Sequence, residues 1–316
     1  MKTSNHLLRR LTAALLAAVL ALSIALPVFA SDNGDTIYIN SVSDLLSLAR
    51  SCAYDQWSVG KTVILQKDLS LEGMLWEPIP SFSGQFKGSG HTISDLTITG
   101  QYSPAGLFGI VEEQGSIESL SVRGVVSVSD SADTTTGGIV GVNHGTLINC
   151  QFTGVVTGDS EVGGIVGRNE SEGTIDHSTA RAIVTGKSST GGIAGYNLGA
   201  ITGCTNVGSI NTEYPEASLD TDGFTAKMVD YINNKMAAAA DDATNSVTNV
   251  ATDTGGIAGR SSGMILTSVN TGTIGYEHVG YNVGGIVGRT DGLVSGCVNQ
   301  GCVLGRKDVG GIAGQA

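Results

Sequence analysis

The sequence predicts an all-β chain wound as a right-handed parallel β-helix, with a capping helix near its N-terminus and one helical insertion. The first observation is a repeated phrase of two glycines, Ile, Val or Ala, and Gly, which begins at Gly137, Gly163, Gly191, Gly255, Gly284 and Gly310. Its steps are 26, 28, 64, 29 and 26 residues, so one step contains an insertion. The second observation is that 46 of 316 residues are Gly and only 5% are aromatic, which favours many tight turns over one large core. A repeat of this length is typical of stacked supersecondary units.

Each repeat contains three short apolar segments bounded by Gly, Asn, Ser or Thr, a pattern typical of strands and turns. The second segment carries Leu147, Ile175, Ile201, Ile265 and Val294, and the third carries Val156, Val184, Ile210, Ile274 and Val303. We therefore predict three short strands per coil, each paired in parallel with its counterpart about 4.8 Å away in the next coil. The glycines are expected at corners that need positive φ or close backbone approach. A leucine-rich horseshoe is the alternative solenoid, but its longer Leu-rich consensus is absent.

Equivalent residues of successive coils should form ladders. The first segment predicts an interior ladder of Ile139, Ile165, Ile193, Ile257 and Ile286, and the following corner predicts a polar ladder of Asn143, Asn169, Asn197, Ser261 and Thr290. Asn tolerates left-handed backbone and can hydrogen-bond to its counterpart one coil along.

A third column alternates cysteine with serine: Cys150, Ser178, Cys204, Ser268 and Cys297. Successive thiols are then two coils, or about 9.6 Å, apart, which exceeds the reach of a disulfide. We expect these three thiols to be free, buried and inert. Cys52 and Cys302 are also expected to be unbonded.

The N-terminal region divides into residues 1–30, a predicted signal peptide, and residues 31–60, a predicted cap; the β-helix follows over residues 61–316. The signal peptide has a basic start, an apolar run from Leu11 to Leu26 and small residues ending at Ala30. A retained membrane anchor is the alternative. No other stretch is long and apolar enough to span a membrane. Within the cap, Asn40–Ala53 predicts an amphipathic helix with Ser41 or Ser43 at its N-cap, and with Val42, Leu45, Leu46 and Leu48 or Ala49 facing inward.

Residues 212–253 form the predicted helical insertion. Asp222 is the expected N-cap of a helix over about residues 223–240, with Phe224, Met228, Ile232 and Met236 along one stripe. A helix lying on the flank of the solenoid is the preferred interpretation, and a partner-binding helix is the alternative. At the C-terminus another coil begins at Gly310, so we expect either a longer protein or docking of the last coil on a partner.

Charge and motifs narrow the function classes. Removal of residues 1–30 lowers the 17 basic residues to 14 against 29 acidic ones, a surface that repels nucleic acid and anionic lipid. The sequence contains no His-Glu-x-x-His, no phosphate-binding loop and no Gly-x-Ser-x-Gly. His91, His144, His177 and His278 lack metal-ligand spacing. We therefore predict no catalytic residue, cofactor or metal.

Two columns of charged residues are candidates for ligand contact. Asp159, Glu161, Glu277 and Asp308 precede successive Gly-Gly pairs and could bind calcium or act on sugar, although a solvated edge that prevents aggregation is the simpler interpretation. The position after the closing Gly carries Val142, Arg168, Tyr196, Arg260 and Arg289. Its Arg and Tyr side chains could grip an anionic glycan, and scattered surface residues would explain them equally well.

Two stretches resemble GLUG-motif proteins. The first is Phe82-Ser83-Gly84-Gln85-Phe86-Lys87-Gly88-Ser89-Gly90-His91-Thr92-Ile93, followed by Leu96-Thr97-Ile98 and Ala105-Gly106-Leu107-Phe108-Gly109. The second is the repeat unit itself, such as Gly137-Gly138-Ile139-Val140-Gly141-Val142-Asn143. The resemblance covers about residues 40–316 outside the insertion. It implies a bacterial secreted or surface protein with a pectin-lyase-like β-helix, of the kind found in adhesin-like proteins and in non-catalytic regions of IgA-specific zinc metallopeptidases. The peptidase activity does not carry over, because its His-Glu-x-x-His is missing.

The expected function is a non-catalytic secreted or cell-surface module, structural or adhesive, that binds a host or matrix glycan or protein along its flank. The alternative is a carbohydrate-active enzyme, a polysaccharide lyase or glycosidase, on the same scaffold. Carboxylates converging in a groove would favour the enzyme.

Overall fold

The structure, a computed structural model, describes residues 35–54, 56–128, 134–212, 219, 221–241 and 251–316, without the side chains of residues 235–241. The predicted signal peptide lies outside the described residues. Thr36–Ala316 forms one compact unit; Met1–Asp35 is grouped separately, and only Asp35 of it is described.

The predicted parallel β-helix is confirmed, because each named strand pairs in parallel with its counterparts in adjacent coils, giving four sheets named A to D. Sheet A contains β1 (Thr36–Ile39), β2 (Thr62–Leu65), β5 (Gln85–Lys87), β8 (Ser116–Glu118), β12 (Thr146–Ile148), β16 (Thr174–Asp176), β20 (Ala200–Thr202), β25 (Met264–Leu266) and β29 (Leu293–Ser295). Sheet B contains β3 (Leu69–Ser70), β6 (Thr92–Gly100), β9 (Ser121–Val128), β13 (Gln151–Thr157), β17 (Thr179–Thr185), β21 (Thr205–Asn206), β26 (Val269–Asn270) and β30 (Val298–Asn299), and β22 (Ser209–Ile210) also pairs with β17.

The other two sheets meet at the repeated glycine phrase. Sheet C contains β4 (Ile79–Phe82), β7 (Phe108–Val111), β11 (Val140–Asn143), β15 (Val166–Asn169), β19 (Ala194–Asn197), β24 (Ala258–Ser261), β28 (Val287–Thr290) and β32 (Ala313–Gln315). Sheet D contains β10 (Thr136–Gly137), β14 (Val162–Gly163), β18 (Ser188–Gly191), β23 (Thr252–Gly255), β27 (Tyr281–Gly284) and β31 (Lys307–Gly310). The described helices are α1 (Val42–Ser51) and α2 (Ala226–Asp241).

A repeat coil therefore passes through sheets D, C, A and B, four short strands where the sequence predicts three. The first predicted segment is divided at a sharp corner by the second glycine of the pair and the Ile that follows, as at Gly138 and Ile139. At Gly192 an added Cβ would lie 2.2 Å from the carbonyl oxygen of Gly256 and 2.4 Å from Cγ of Asn206. The absence of a side chain allows the backbone to turn against the next coil, so close approach explains this glycine.

The isoleucines of the glycine phrase lie above one another in the core. The backbone N–H of Ile139 donates to the carbonyl oxygen of Ile165 at 3.0 Å, and Ile165 donates in turn to Ile193 at 3.1 Å. Across the insertion, Ile193 donates to Ile257 at 2.9 Å, so the 64-residue step leaves the stacking unchanged. Ile139, Ile165, Ile193, Ile257 and Ile286 are all fully buried.

Two ladders of buried amides run along the stack. Asn143 Nδ2 donates to Asn169 Oδ1, and Asn169 Nδ2 donates to Asn197 Oδ1, both at 2.8 Å; Asn197 Nδ2 then donates to Ser261 Oγ at 3.1 Å. A second ladder, which the sequence analysis missed, links Asn206, Asn270 and Asn299 at 2.8 Å per step. Except at the half-buried Asn299, each donor that links two coils satisfies a polar group that water cannot reach.

The cysteine and serine column is also hydrogen-bonded. The backbone N–H of Cys150 donates to Ser178 Oγ at 3.1 Å, and that of Ser178 donates to Cys204 Sγ at 3.4 Å. Burial raises the pKa of both Cys150 and Cys204 to about 12, so these thiols are not nucleophiles at neutral pH. All five cysteines are unbonded. Cys297 is only half-buried, which differs from the expected full burial.

The predicted N-terminal helix is present as α1. Its N-cap is Ser41, whose Oγ accepts a hydrogen bond from the N–H of Asp44 at 3.2 Å. Leu45 and Leu48 are buried in the main core, and Val42, Leu46 and Ala49 pack against it. The strand β1 precedes the helix and pairs with β2, so the capping region also supplies the first strand of sheet A.

The insertion helix α2 lies on the outer face of sheet B, as the preferred interpretation predicts. Met228 and Ile232 are buried against Val125, Val155 and Ile183, three residues in register on β9, β13 and β17. The side chain of Met236 lies outside the described residues. No helix among the described residues has both the length and the apolar character required to cross a bilayer.

The prediction that Asp222 caps α2 is wrong. The carbonyl oxygen of Asp222 accepts a hydrogen bond from the Arg123 guanidinium, and the helix begins only at Ala226. Thr225 is the cap, because its Oγ1 accepts from the N–H of Met228 at 3.4 Å. Thr225 Oγ1 also donates to Oδ1 of the buried Asp95 at 2.9 Å, which ties the start of the helix to the bulge of β6.

Candidate ligand-binding site

The outer face of sheet C carries one continuous column of side chains. Within β11, the buried Asn143 points into the stack and its neighbour Val142 points outward, because successive residues of a strand alternate between faces. The residues in register with Val142 are Ser81, Ile110, Arg168, Tyr196, Arg260, Arg289 and Gln315. The four candidate residues predicted from sequence, Arg168, Tyr196, Arg260 and Arg289, are thus neighbours in consecutive coils.

The centre of this column is an arginine–tyrosine–arginine stack. The guanidinium carbon of Arg168 lies 5.1 Å from the centroid of the Tyr196 ring, and that of Arg260 lies 5.2 Å from the same centroid. The two cations approach from the coil before and the coil after, so they cover both faces of the ring. Tyr196 therefore orients two guanidinium groups by cation–π contact. Its hydroxyl lies 3.3 Å from Ser262 Oγ.

Arg168 is held by two carboxylates. Its Nη1 donates to Glu161 Oε1 at 2.8 Å and its Nε donates to Glu170 Oε1 at 2.7 Å. Partial burial alone would lower the pKa of Arg168, but Glu161 and Glu170 outweigh burial and raise that pKa. The donors of Arg168 are thus largely engaged within the protein.

Glu161 reaches Arg168 because of a second column at the edge of sheet D. Each outward residue of the sheet C column from Arg168 to Gln315 is preceded, seven residues earlier, by a residue with left-handed backbone and a φ between 45° and 55°. These residues are Glu161, Ser189, Asp253, Asn282 and Asp308. At Gly195, the closing glycine of the next coil, a Cβ would lie 2.2 Å from the carbonyl carbon of Glu161. The missing side chain allows this residue to fold over the edge of sheet C, beside the arginines.

The same positions are filled differently around Arg260 and Arg289. The counterpart of Glu161 is Asp253 in the coil of Arg260, and its Oδ1 accepts from Asn282 Nδ2 at 2.6 Å. In the coil of Arg289 the counterpart is Asn282 itself, a neutral amide. The counterpart of Glu170 is Ser262 for Arg260 and Asp291 for Arg289.

Asp291 is the carboxylate nearest in sequence to Arg289. A hydrogen bond from Ser262 lowers the pKa of Asp291, and the positive charges of Arg260 and Arg289 lower it further. Asp291 is exposed, as is Arg289, whereas Arg260 is half-buried. The second half of the column therefore offers guanidinium donors to solvent with weaker internal neutralisation than Arg168.

The structure does not bring together the four acidic residues that precede successive Gly-Gly pairs, namely Asp159, Glu161, Glu277 and Asp308. Asp159 Oδ1 pairs with Lys187 Nζ at 2.7 Å, Glu161 pairs with Arg168, and Glu277 lies in a separate loop, 3.8 Å from His278. Only Glu161 and Asp308 belong to the same register column. Among the residues that the structure describes, no group of three or more His, Cys, Asp or Glu side chains is arranged to hold a metal ion.

Two cavities were not foreseen from the sequence. One of about 530 Å³ lies beside the first coils of sheet C and is lined by Gln56, Val59, Ser81, Ser83, Glu112, Glu113, Gln114 and His144. Ser81 Oγ donates to Glu112 Oε1 at 2.7 Å within it. A smaller one of about 240 Å³ lies between the start of α2 and the loop of residues 72–75. No sequence pattern predicts these two cavities, because their walls come from irregular coils.

Comparison with known proteins finds two relatives that are similar in sequence to parts of this chain. No family model matches the chain. The chain is 32% identical over 155 residues to halomucin of Haloquadratum walsbyi, an alignment covering 45% of this chain and 2% of halomucin. It is 28% identical over 137 residues to a "Putative Gly-rich membrane protein" of Evansella cellulosilytica, covering 31% of this chain and 16% of that protein. The chain thus spans a small fraction of the length of both relatives.

One solved structure shares the fold. It is the crystal structure of a "putative immunoglobulin A1 protease" from Bacteroides ovatus, with a TM-score of 0.53 and 19% sequence identity. The match covers 84% of this chain and 78% of the other. At this identity the likeness concerns the fold alone.

Proposed function

We propose that this chain is a non-catalytic module of a secreted or cell-surface protein, and that it binds an extracellular glycan or protein along the outer face of sheet C. The observation that carries the proposal is the Arg168–Tyr196–Arg260 stack with Arg289 in register beyond it. Arg and Tyr, together with Trp, are enriched where proteins make energetically important contacts. A binding face repeated along a solenoid contacts an extended ligand without needing a closed pocket.

The relatives support a place at the cell surface. Halomucin and the Gly-rich membrane protein are both relatives in sequence, and the glycine phrase resembles the GLUG repeat of secreted and surface proteins. The candidate acidic residues are dispersed or paired with basic side chains, which favours binding over sugar hydrolysis. We therefore place the carbohydrate-active enzyme second.

The proposal is tested by a glycan array and a polysaccharide-degradation screen on the purified protein. We expect binding without cleavage. Tyr196→Ser should weaken the binding about tenfold, because both guanidinium groups lose their support. Tyr281→Ser is the matched control. Tyr281 lies on the neighbouring sheet D, and its ring also contacts a guanidinium group, that of Arg306, at 5.7 Å. Cleavage of any polysaccharide would replace this proposal with the enzyme, and equal effects of both variants would remove sheet C as the binding face.

A further inference from the structure

The column on sheet C has two unlike halves, and the difference bears on the class of ligand. Arg168 is neutralised by Glu161 and Glu170, whereas Arg260 and Arg289 stand in adjacent coils about 4.8 Å apart. Two like charges in register on neighbouring strands are unfavourable unless an opposite charge bridges them. Asp291, whose pKa both arginines lower, supplies one negative charge there, and an anionic group of a ligand would supply a second.

We propose, resting on the function proposed above, that Arg260 and Arg289 form a subsite for the carboxylate or sulfate groups of an acidic polysaccharide. Guanidinium groups donate in a planar fork that fits both kinds of oxyanion. Gln315 follows Arg289 in the column and adds an exposed amide donor. Arg168 and Tyr196 position Arg260 and do not bind the ligand's charge.

The stack argues against a neutral sugar as the principal ligand. A sugar ring binds an aromatic side chain by lying on one of its faces, and both faces of Tyr196 are covered by guanidinium groups. The exposed edges of those groups remain, and their N–H donors favour oxyanions over hydroxyl groups because the hydrogen bonds are charge-assisted. An extended polymer with regularly repeated charge suits a column whose donors repeat once per coil, which is why we favour a polysaccharide over an acidic protein.

The surrounding charges are compatible with an anion at this end of the stack. The carboxylates beside the two arginines are Asp253, hydrogen-bonded to Asn282, and Asp291, hydrogen-bonded to Ser262; Asp308 is exposed in the coil of Gln315. Residues 251–316 contain four acidic residues (Asp253, Glu277, Asp291 and Asp308) and four basic ones (Arg260, Arg289, Arg306 and Lys307). Residues 35–212 contain 17 acidic and 8 basic residues. An anionic polymer is therefore repelled least at the coils that hold the subsite.

The test is titration calorimetry of the full chain with chondroitin sulfate, polygalacturonate, neutral dextran and poly-L-glutamate. We expect both acidic polysaccharides to bind, more weakly as salt is raised, and dextran not to bind. Arg260→Gln and Arg289→Gln should each weaken binding about tenfold or more, because each removes charge-assisted hydrogen bonds. Asp291→Asn should strengthen it about two- to fivefold by removing a competing carboxylate at the surface. Arg181→Gln, at an exposed arginine on sheet B, is the control and should leave affinity unchanged.

The outcomes separate this inference from the proposed function. The acidic-polysaccharide subsite would be overturned if dextran or poly-L-glutamate bound as tightly as the acidic polysaccharides. It would also be overturned if neither arginine variant changed the affinity. If the glycan array still finds a ligand in that case, the surface-binding function stands. If the array and the titrations find no ligand at all, both proposals fail. Circular dichroism of each variant checks that the fold is retained, so a loss of affinity is assigned to the side chain.

Discussion

The first coils and the repeat coils stack in the same sheets, but different side chains fill their cores. In the first coils the core is filled by large rings: Phe82, Phe86 and Phe108 pack with centroids 5.4 to 6.3 Å apart, and the buried Trp76 donates through Nε1 to the carbonyl oxygen of Leu107 at 3.1 Å. In the repeat coils the core is built mainly from Ile and Val ladders, amide ladders and small Cys and Ser side chains, and Phe152 is a buried ring among them. The glycine phrase draws the backbone so close that large side chains are admitted at few positions.

The difference teaches how the outer surface is organised. Where each coil repeats the same glycine corner, equivalent side chains lie in register inside and outside the stack. The column of Arg168, Tyr196, Arg260 and Arg289 is thus a consequence of the same rule that aligns the isoleucines. In the first coils the corresponding outward positions, Ser81 and Ile110, belong to irregular coils and carry no such stack.

The largest expected effect is on the aromatic core. Phe108→Ala should lower the free energy of unfolding in urea by about 3–5 kcal/mol, because it removes a buried ring and leaves a cavity. Val140→Ala, at the position in register with Phe108, should cost about half as much since fewer atoms are removed. Equal costs would mean that the two interiors contribute alike, contrary to the comparison.

The amide ladder should come next. Asn169→Ala removes the acceptor of Asn143 and the donor to Asn197 in a fully buried position, and we expect a loss of about 2–3 kcal/mol. Asn299→Ala, at the half-buried end of the second ladder, should cost less because solvent can satisfy the partner left behind. Chemical denaturation of both variants gives the comparison, and a larger loss for Asn299→Ala would contradict the ladder's role.

The glycine corner can be tested at two equivalent positions. Gly192→Ala should destabilise the protein by about 2 kcal/mol, since the new methyl group collides with the backbone of the next coil. Gly311→Ala is the matched control: its Cβ meets nothing within 4 Å, so its melting temperature should match that of the parent. A similar loss in both variants would show that φ preference, not close approach, explains the corner.

The smallest expected effect concerns the insertion helix, whose start is tied to an early coil through Asp95. Burial alone would raise the pKa of Asp95, but hydrogen bonds from Ser70, Thr225 and Ser94 hold that pKa below its ordinary value of 3.8. The carboxylate therefore stabilises the docked helix fully above about pH 5, and this contribution is lost as the pH falls through the lower, folded-state pKa. Asp95→Asn should cost about 1 kcal/mol at neutral pH and remove this pH dependence.

Hydrogen exchange of the α2 amides between pH 5 and pH 3 measures the effect. The control is Asp44→Asn on α1, remote from Asp95, which should leave exchange in α2 unchanged. Unaltered protection of α2 in Asp95→Asn would show that Val125, Val155 and Ile183 hold the helix without the carboxylate.

The fold could be predicted because its signal is repetition. The steps of the glycine phrase set the coil, and the Ile, Asn and Cys columns follow from it. The fourth strand could not be separated, since Thr136–Gly137 and Val140–Asn143 form one apolar run in the sequence and are divided only by contacts with the next coil. The Asp222 cap could not be corrected from the sequence, because Thr225 takes that position through a hydrogen bond to Asp95, which is distant in sequence.

The site could be predicted in part. Register alone places Arg168, Tyr196, Arg260 and Arg289 in one column, but it does not reveal that Arg168 is engaged by Glu161. That contact depends on the left-handed residue that folds over Gly195, a feature of backbone geometry that no residue type specifies.

The insertion between Ile210 and Thr252 has a consequence for how such a chain can change. Ser188 of one coil pairs with Thr252 of the next as closely as other equivalent residues do, and Asn197 reaches Ser261 as though nothing intervened. The corner after sheet B is thus a tolerant junction, where segments of different length and chemistry can be exchanged while the winding below and above continues undisturbed.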